Sequence, residues 1–227
     1  MALETELKFS LLPSHNAAFR RLMASHVPGT APTTTLYSVY YDTPSLALMQ
    51  QGMGLRLRQV DGHWLQTLKF AEQAGAGLHQ RLELEKAVSG PVLELDQITD
   101  RKARRFLTQH HIASVLAPLF TTTIRRQCWT LQDGHGNSLE VSLDHGTIEG
   151  QGQTLKVNEV EIELKQGQTQ ALFDLALKLA SSLPLTPHPQ SKPERGYALY
   201  CDVWPLTPSK AQLPTLSATM TPQSEPK

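Results

Sequence analysis

Polar and apolar residues alternate with a period of two along much of the chain. The pattern runs through Glu4 to Ser10, Tyr37 to Tyr41, Leu55 to Val60, Trp64 to Phe70, His79 to Lys86, Thr123 to Leu131, Ser138 to Ile148 and Leu155 to Lys165. Successive side chains of an extended strand point to opposite faces, so these segments predict about eight strands, each with one apolar side. Asp61-Gly62 suits a two-residue hairpin that needs positive φ, and Asp133-Gly134-His135-Gly136-Asn137 suits a looser one. Neighbouring strands are therefore expected to be antiparallel.

Helical periodicity appears in fewer places. Ser14 is placed to cap a segment reaching His26 with Ala18, Phe19, Leu22 and Met23 on one face. Gln168 to Leu183 sets Leu172, Leu175, Ala176, Leu179 and Leu183 at helical spacing, and Leu95 to Leu119 is a further helical candidate. Arg101, Lys102, Arg104 and Arg105 within the last are read as a solvated face, not a nucleic-acid patch. Beyond about Trp204, Pro, Ser and Thr take over without periodicity, so 1–203 is expected to be one folded domain and 204–227 a disordered tail or linker.

The polar faces of four strands carry chemistry. Glu4, Glu6 and Lys8 share a face, as do Arg56 and Arg58, then Arg81, Glu83 and Glu85, then Glu159, Glu161 and Glu163. Taken singly, each resembles the wet side of any sheet. Together they set like charges about 7 Å apart along single faces, which is unfavourable unless opposite charge lies among them. An antiparallel sheet of this size can close into a barrel and lose its edges. If the charged faces turn inward, amphipathic helices must cover the apolar exterior. The expected fold is α+β: an eight-stranded antiparallel barrel, or tunnel, with a charged lumen and flanking helices. Clustered carboxylates suit hard cations such as Mg²⁺ or Mn²⁺, and clustered Arg and Lys suit phosphate oxygens. Both in one cavity imply a metal-bound polyphosphate, and phosphoryl transfer needs little besides positioning and charge neutralisation.

Composition removes other classes. Lys plus Arg and Asp plus Glu each total 21, so the formal charge is zero, and no general attraction to nucleic acid or anionic membrane is expected. The two cysteines, Cys128 and Cys201, form neither a zinc set nor a disulfide framework. No signal-peptide pattern and no apolar run of the roughly 20 residues that span a bilayer is present, so a cytoplasmic location is expected. Cys128 beside Trp129 is read as packed, not nucleophilic, and the adjacent His110 and His111 as solvent-facing, since metal-binding pairs on a helix stand four apart.

The ordered motifs resemble those of the CYTH group, or triphosphate tunnel metalloenzymes, which includes class IV adenylate cyclases, thiamine triphosphatases and inorganic triphosphatases. Glu4-x-Glu6-x-Lys8 is similar to the group's ExExK signature. Tyr40-Tyr41-Asp42-Thr43-Pro44, Gly54-Leu55-Arg56-Leu57-Arg58, Lys69, Arg81-x-Glu83-x-Glu85, Arg125, Asp144, Glu159-x-Glu161-x-Glu163, Ser191-Lys192 and Arg195-Gly196-Tyr197 follow in the same order, covering about residues 1 to 203. The resemblance implies that Lys8, Arg56, Arg58, Lys69, Arg81, Arg125, Lys192 and Arg195 hold phosphate oxygens. It implies Glu4, Glu6, Asp144, Glu161 and Glu163 as metal-side carboxylates, with Glu83, Glu85 and Glu159 in support, and it centres catalysis on Lys8, Glu6 and Glu161. Gly77-Leu78-His79-Gln80-Arg81 resembles bacterial inorganic triphosphatases in which this domain precedes a histidine-rich CHAD domain.

The leading expectation is therefore hydrolysis of inorganic triphosphate to pyrophosphate and phosphate. Thiamine triphosphatase or adenylate cyclase would need an aromatic or apolar rim, for which Trp64 or Tyr197 is available. A non-catalytic polyphosphate-binding module uses the same basic residues. An apolar-ligand carrier is disfavoured because unpaired buried ions would cost several kcal/mol each.

Overall fold

The computed structural model describes the backbone of residues 2–27, 29, 31–75, 78–109 and 111–203, and their side chains except those of 2, 3, 71–75, 81 and 109; the tail expected over 204–227 lies outside the described residues. The eight alternating segments all form strands, extended by a few residues: β1 (Ala2–Ser10), β2 (Thr33–Asp42), β3 (Met53–Val60), β4 (His63–Gly75), β5 (Leu78–Val88), β6 (Ala117–Gln132), β7 (Ser138–Gly150) and β8 (Gln153–Gln166). They pair antiparallel in the order β5-β4-β3-β2-β6-β7-β8-β1, and β1 pairs with β5 as well, so the sheet closes on itself.

Closure is shared along β1. Ala2 to Leu7 lie against β5 while Glu6 to Ser10 lie against β8. A two-residue strand, β9 (Thr186–Pro187), takes the edge of β1 that β5 leaves free, at Phe9 and Ser10. The hairpin between β3 and β4 turns at Asp61 and Gly62, with φ of 48° and 82°, the conformation that makes an Asp-Gly pair favourable there.

The apolar faces point outward and are covered. Helices α1 (Asn16–His26) and α4 (Gln170–Ala180) bury Phe19, Met23, Leu172, Leu175 and Leu179 against Leu7, Phe9, Trp129, Val141, Leu143, Val160 and Ile162 of the barrel wall. Phe19 meets Trp129 edge to face at 5.7 Å. Each such fully buried side chain contributes about 1.5–3 kcal/mol. Helix α3 (Arg101–Gln109) buries Ala103 and Leu107 over Leu55 and Leu68 on the opposite side. Its Arg101, Lys102, Arg104 and Arg105 are exposed. Among the described residues no helix is long and apolar enough to cross a membrane.

Two local expectations are corrected. Ser14 is not a cap: it lies in a 3-10 turn, Pro13–His15, and His15 precedes α1 without a capping side-chain bond. The helix expected over Leu95 to Leu119 is broken into two 3-10 turns around α3, because Asp100 accepts from the Ala103 N–H and stops the helix from starting earlier, and β6 begins at Ala117. Two helices carried no amphipathic signal: α2 (Ala47–Gln50) and α5 (Lys192–Tyr200).

Helix α5 lies inside the barrel. Ser191 and Glu194 form a reciprocal capping box at its start, and Pro193 sits in its first turn. Tyr197 and Leu199 pack on Tyr40, Phe120, Ile124, Ile148 and Val157. Phe120 stacks on Tyr40 at 4.6 Å and meets Tyr197 edge to face at 5.3 Å. The approach is so close that a Cβ on Gly196 would lie 2.1 Å from the Phe120 ring.

Candidate active site

The lumen left beside α5 is a cavity of about 590 Å³, lined among others by Glu4, Glu6, Lys8, Arg56, Arg58, Lys69, Arg126, Glu161 and Lys192. The strand pleat brings these residues together: Lys8 stands opposite Glu161 across β1 and β8, Asp144 opposite Glu159 across β7 and β8, and Lys69 opposite Glu83 across β4 and β5. A period of two puts every second residue of each strand into the same enclosed space.

At one wall, Lys8 Nζ is 2.6 Å from Glu161 and 2.9 Å from Glu6. Lys192 Nζ is 2.6 Å from Asp144 and 3.0 Å from Glu161, and it also meets Glu159, which in turn pairs with Arg195. Burial alone would raise the Glu161 pKa, but Lys192, Lys8 and Arg126 hold it well below the usual carboxylate range. Asp144 is lowered against the same burial by Lys192 and Arg126. Burial works against the charge on Lys8 and Lys192, yet their carboxylate partners raise both pKa values.

Towards the β3–β5 wall, Lys69 lies 2.6 Å from Glu4 and 3.3 Å from Glu83, and it holds the Glu4 pKa down against burial. Arg56 reaches Glu83 at 3.5 Å and Glu85 at 3.8 Å. Arg58 differs from these. Its Nε donates to Ser38 at 2.9 Å, and among the described residues no carboxylate lies within ion-pair distance of it. Burial, with Arg56 and Arg126 adding repulsion, lowers its pKa to about 10. A half-buried cation in that position lacks a paired counter-charge.

Arg125, expected in the lumen, is on the exposed outer face; its neighbour Arg126 points inward. Arg126 donates to both oxygens of Asp144, at 2.7 and 2.6 Å, and bridges to Glu161. The parity of β6 is set by Trp129, which packs outward under α1, so odd-numbered neighbours share its side. Glu163 lies at the margin of the charged row and pairs with Lys165 at 2.8 Å. Arg81 stands opposite Glu4 in the β1–β5 register, and its side chain lies outside the described residues.

Asp144, Glu159 and Glu161 each offer an oxygen within 4.8 Å of the others. This all-oxygen set fits a hard divalent cation. It includes Glu159, expected only in support, and among the described residues Glu4, Glu6 and Glu163 are not part of this close group. Tyr40, not singled out as a site residue, lines the cavity too. Burial favours its neutral phenol, but Arg56 and Arg58 lower its pKa. Asp42 works behind the wall: its carboxylate accepts from the N–H groups of Thr43, Leu48 and Met49 and from the Tyr197 hydroxyl, tying α2 to α5.

Other residues stand as follows. The Cys128 thiol is pushed up to about 11 by burial, so it stays protonated and is no nucleophile. His79 is buried on the cavity wall and His145 is exposed beside Asn158. His111 is exposed, and His110 lies outside the described residues. Of the two rim candidates, Tyr197 lines the cavity and Trp64 does not.

A closed antiparallel barrel with an ion-paired lumen defines a class of charged-tunnel proteins. The sequence profile of the CYTH domain matches residues 2–197, and the chain belongs to that family. It is 32% identical over 200 residues to an inorganic triphosphatase of Haemophilus influenzae, a match covering 88% of this chain and 55% of that protein; the chain thus spans about half the length of that relative. Among solved structures, a candidate adenylyl cyclase from Hippeastrum, described as having a dominant triphosphatase activity, aligns with TM-score 0.60 and 18% identity over 88% of this chain and 95% of its own. A candidate adenylate cyclase from Bacillus halodurans aligns with TM-score 0.54 and 20% identity over 84% and 96%. These two likenesses establish the fold.

Proposed function

We propose that the chain hydrolyses inorganic triphosphate to pyrophosphate and phosphate inside the tunnel, with Mg²⁺ or Mn²⁺. The observation that carries this reading is Arg58: a half-buried guanidinium on the cavity wall, facing Arg56 and Arg126 without a carboxylate of its own. A phosphate chain supplies the missing negative charge, and guanidinium forks match its oxygens. The Haemophilus relative supports the same substrate.

In this reading Arg56, Arg58, Lys69 and Arg126 orient the chain from one wall, and Lys8, Lys192 and Arg195 neutralise oxygens from the other. Arg81 is proposed to join them; Arg125, being exposed, is not. Asp144, Glu159 and Glu161 would hold the metal, with Glu4, Glu6 and Glu163 available along the same wall. A divalent ion bound there supplies charge neutralisation of phosphate oxygens and a more acidic water. Lys8, held between Glu6 and Glu161, stays protonated and stabilises charge on the departing pyrophosphate.

A second reading has its own observation. The cavity also carries Met49, Met53, Phe70, Ala198 and Val203, an apolar stretch on which an organic triphosphate such as thiamine triphosphate or ATP can rest. Initial rates of phosphate release from triphosphate, thiamine triphosphate and ATP, with and without Mg²⁺, separate the two. The first reading expects metal-dependent release from inorganic triphosphate at least tenfold above the others; preference for an organic substrate, or cyclic AMP formation, selects the second. Metal-dependent binding without release would make the chain a polyphosphate-binding module. Glu161→Gln is expected to lower triphosphate turnover at least a hundredfold, and full activity in that variant would remove Glu161 from the metal site.

A further inference from the structure

Lys192 stands where a cation belongs. Its ammonium touches all three carboxylates of the convergent group, at 2.6 Å from Asp144 and 3.0 Å from Glu161, with Glu159 also in contact. A hard divalent ion binds carboxylate oxygens at about 2.0–2.6 Å, so it cannot share the centre of this group with an ammonium that uses the same oxygens. The other cations at the group are held differently. Arg126 is a two-pronged donor to Asp144 from the adjacent strand, and Lys8 is anchored between Glu6 and Glu161 on β1. Lys192 is a point charge on a flexible stem, at the first residue of α5, and it lines the cavity that Arg58 also faces.

We infer that Lys192 is an exchangeable resident cation: a divalent metal takes its place among Asp144, Glu159 and Glu161 while its ammonium turns to phosphate oxygens. This inference rests on the reading of the tunnel as a site for a metal-bound phosphate chain. Either ligand alone meets resistance. Metal must evict an ammonium that pairs only with these carboxylates, and an anion that draws Lys192 away leaves three carboxylates with one cation fewer among them. When both bind, each supplies the partner that the other displaces. Their binding is therefore coupled, and by linkage each strengthens the other equally.

The test is equilibrium binding of Mn²⁺, read by the electron paramagnetic resonance of the free ion, with and without diimidotriphosphate, a non-hydrolysable phosphate chain. In the unaltered protein the chain is expected to tighten Mn²⁺ binding about 10–100-fold. Lys192→Gln is expected to bind Mn²⁺ more tightly than the unaltered protein when the chain is absent and to reduce the coupling below about threefold. Equal Mn²⁺ affinity with and without the chain overturns the exchange while leaving the tunnel reading intact. So does unchanged coupling in Lys192→Gln. Failure of the unaltered protein to bind either ligand, alone or together, overturns the tunnel reading and the exchange with it. If Lys192→Gln does not fold, Lys192→Met, which keeps the apolar stem and removes the charge, is read in the same way, and unchanged coupling in it overturns the exchange.

Discussion

Arg58 is the residue at which stability and function pull apart. Its half-buried charge lies near two other guanidiniums with no ion-pair partner among the described residues, so in the ligand-free protein it is destabilising, in keeping with a pKa lowered to about 10. Arg58→Gln removes the charge and keeps a donor near Ser38. It is expected to raise the ligand-free melting temperature by about 2–4 °C, corresponding to about 1 kcal/mol, and to weaken triphosphate binding at least tenfold. Thermal unfolding and calorimetric titration check both halves; a lower melting temperature with intact affinity would mean that Arg58 has a structural counter-charge. Its place on the cavity wall was legible in the sequence from the face it shares with Arg56. The adjacent pair Arg125 and Arg126 was harder, because either parity of β6 places one arginine inward. The outward-packed Trp129 resolves the parity, and that signal was present in the alternation.

The element that completes the site is α5, and it was the least legible. A surface helix announces itself by an apolar stripe, but α5 is surrounded by barrel, so its Lys192, Arg195, Gly196 and Tyr197 are buried together without one. Its start was legible in principle, since Ser191 and Glu194 with an intervening proline make a capping box. The strands and the outer helices α1 and α4 were readable for the opposite reason: each has one face in an apolar layer and one elsewhere. Gly196→Ala tests the seating of α5. The added methyl group would overlap the Phe120 ring, which is backed by Tyr40, so a loss of about 1–3 kcal/mol is expected in denaturant unfolding. Because Lys192 and Arg195 ride on α5, triphosphate affinity should fall with it. Unchanged stability would mean that α5 is not packed against β6.

Over the whole molecule, a formally neutral chain conceals separated kinds of surface: apolar outside the barrel wall under helices and inside it around α5, ionic along the rest of the lumen. Closure through the double pairing of β1 is what turns ordinary alternating strands into an enclosure. The alternation implied a two-faced sheet; which face turned inward was a matter of long-range pairing, and the like-charged faces pointed to the answer. The ion pairs also fix the pH response. Glu4, Asp144 and Glu161 have lowered pKa values, so their stabilisation is present above the unfolded-state value near 4 and is lost as pH falls through the lower folded values. Glu163, raised by burial, acts in the opposite direction. The three outweigh the one, so the ligand-free melting temperature should be nearly level from pH 6 to 8 and fall steeply below about pH 4. Thermal unfolding across that range checks it, and a level profile down to pH 3 would mean that the pairs contribute nothing to folding.

The central claim, that the enclosed charges serve to cleave a phosphate chain, is tested most directly by phosphorus-31 NMR of inorganic triphosphate incubated with the folded chain and Mg²⁺. The account predicts that the triphosphate resonances give way to pyrophosphate and orthophosphate in equal amounts. A triphosphate spectrum that stays unchanged, with the protein still folded and the metal present, would contradict it.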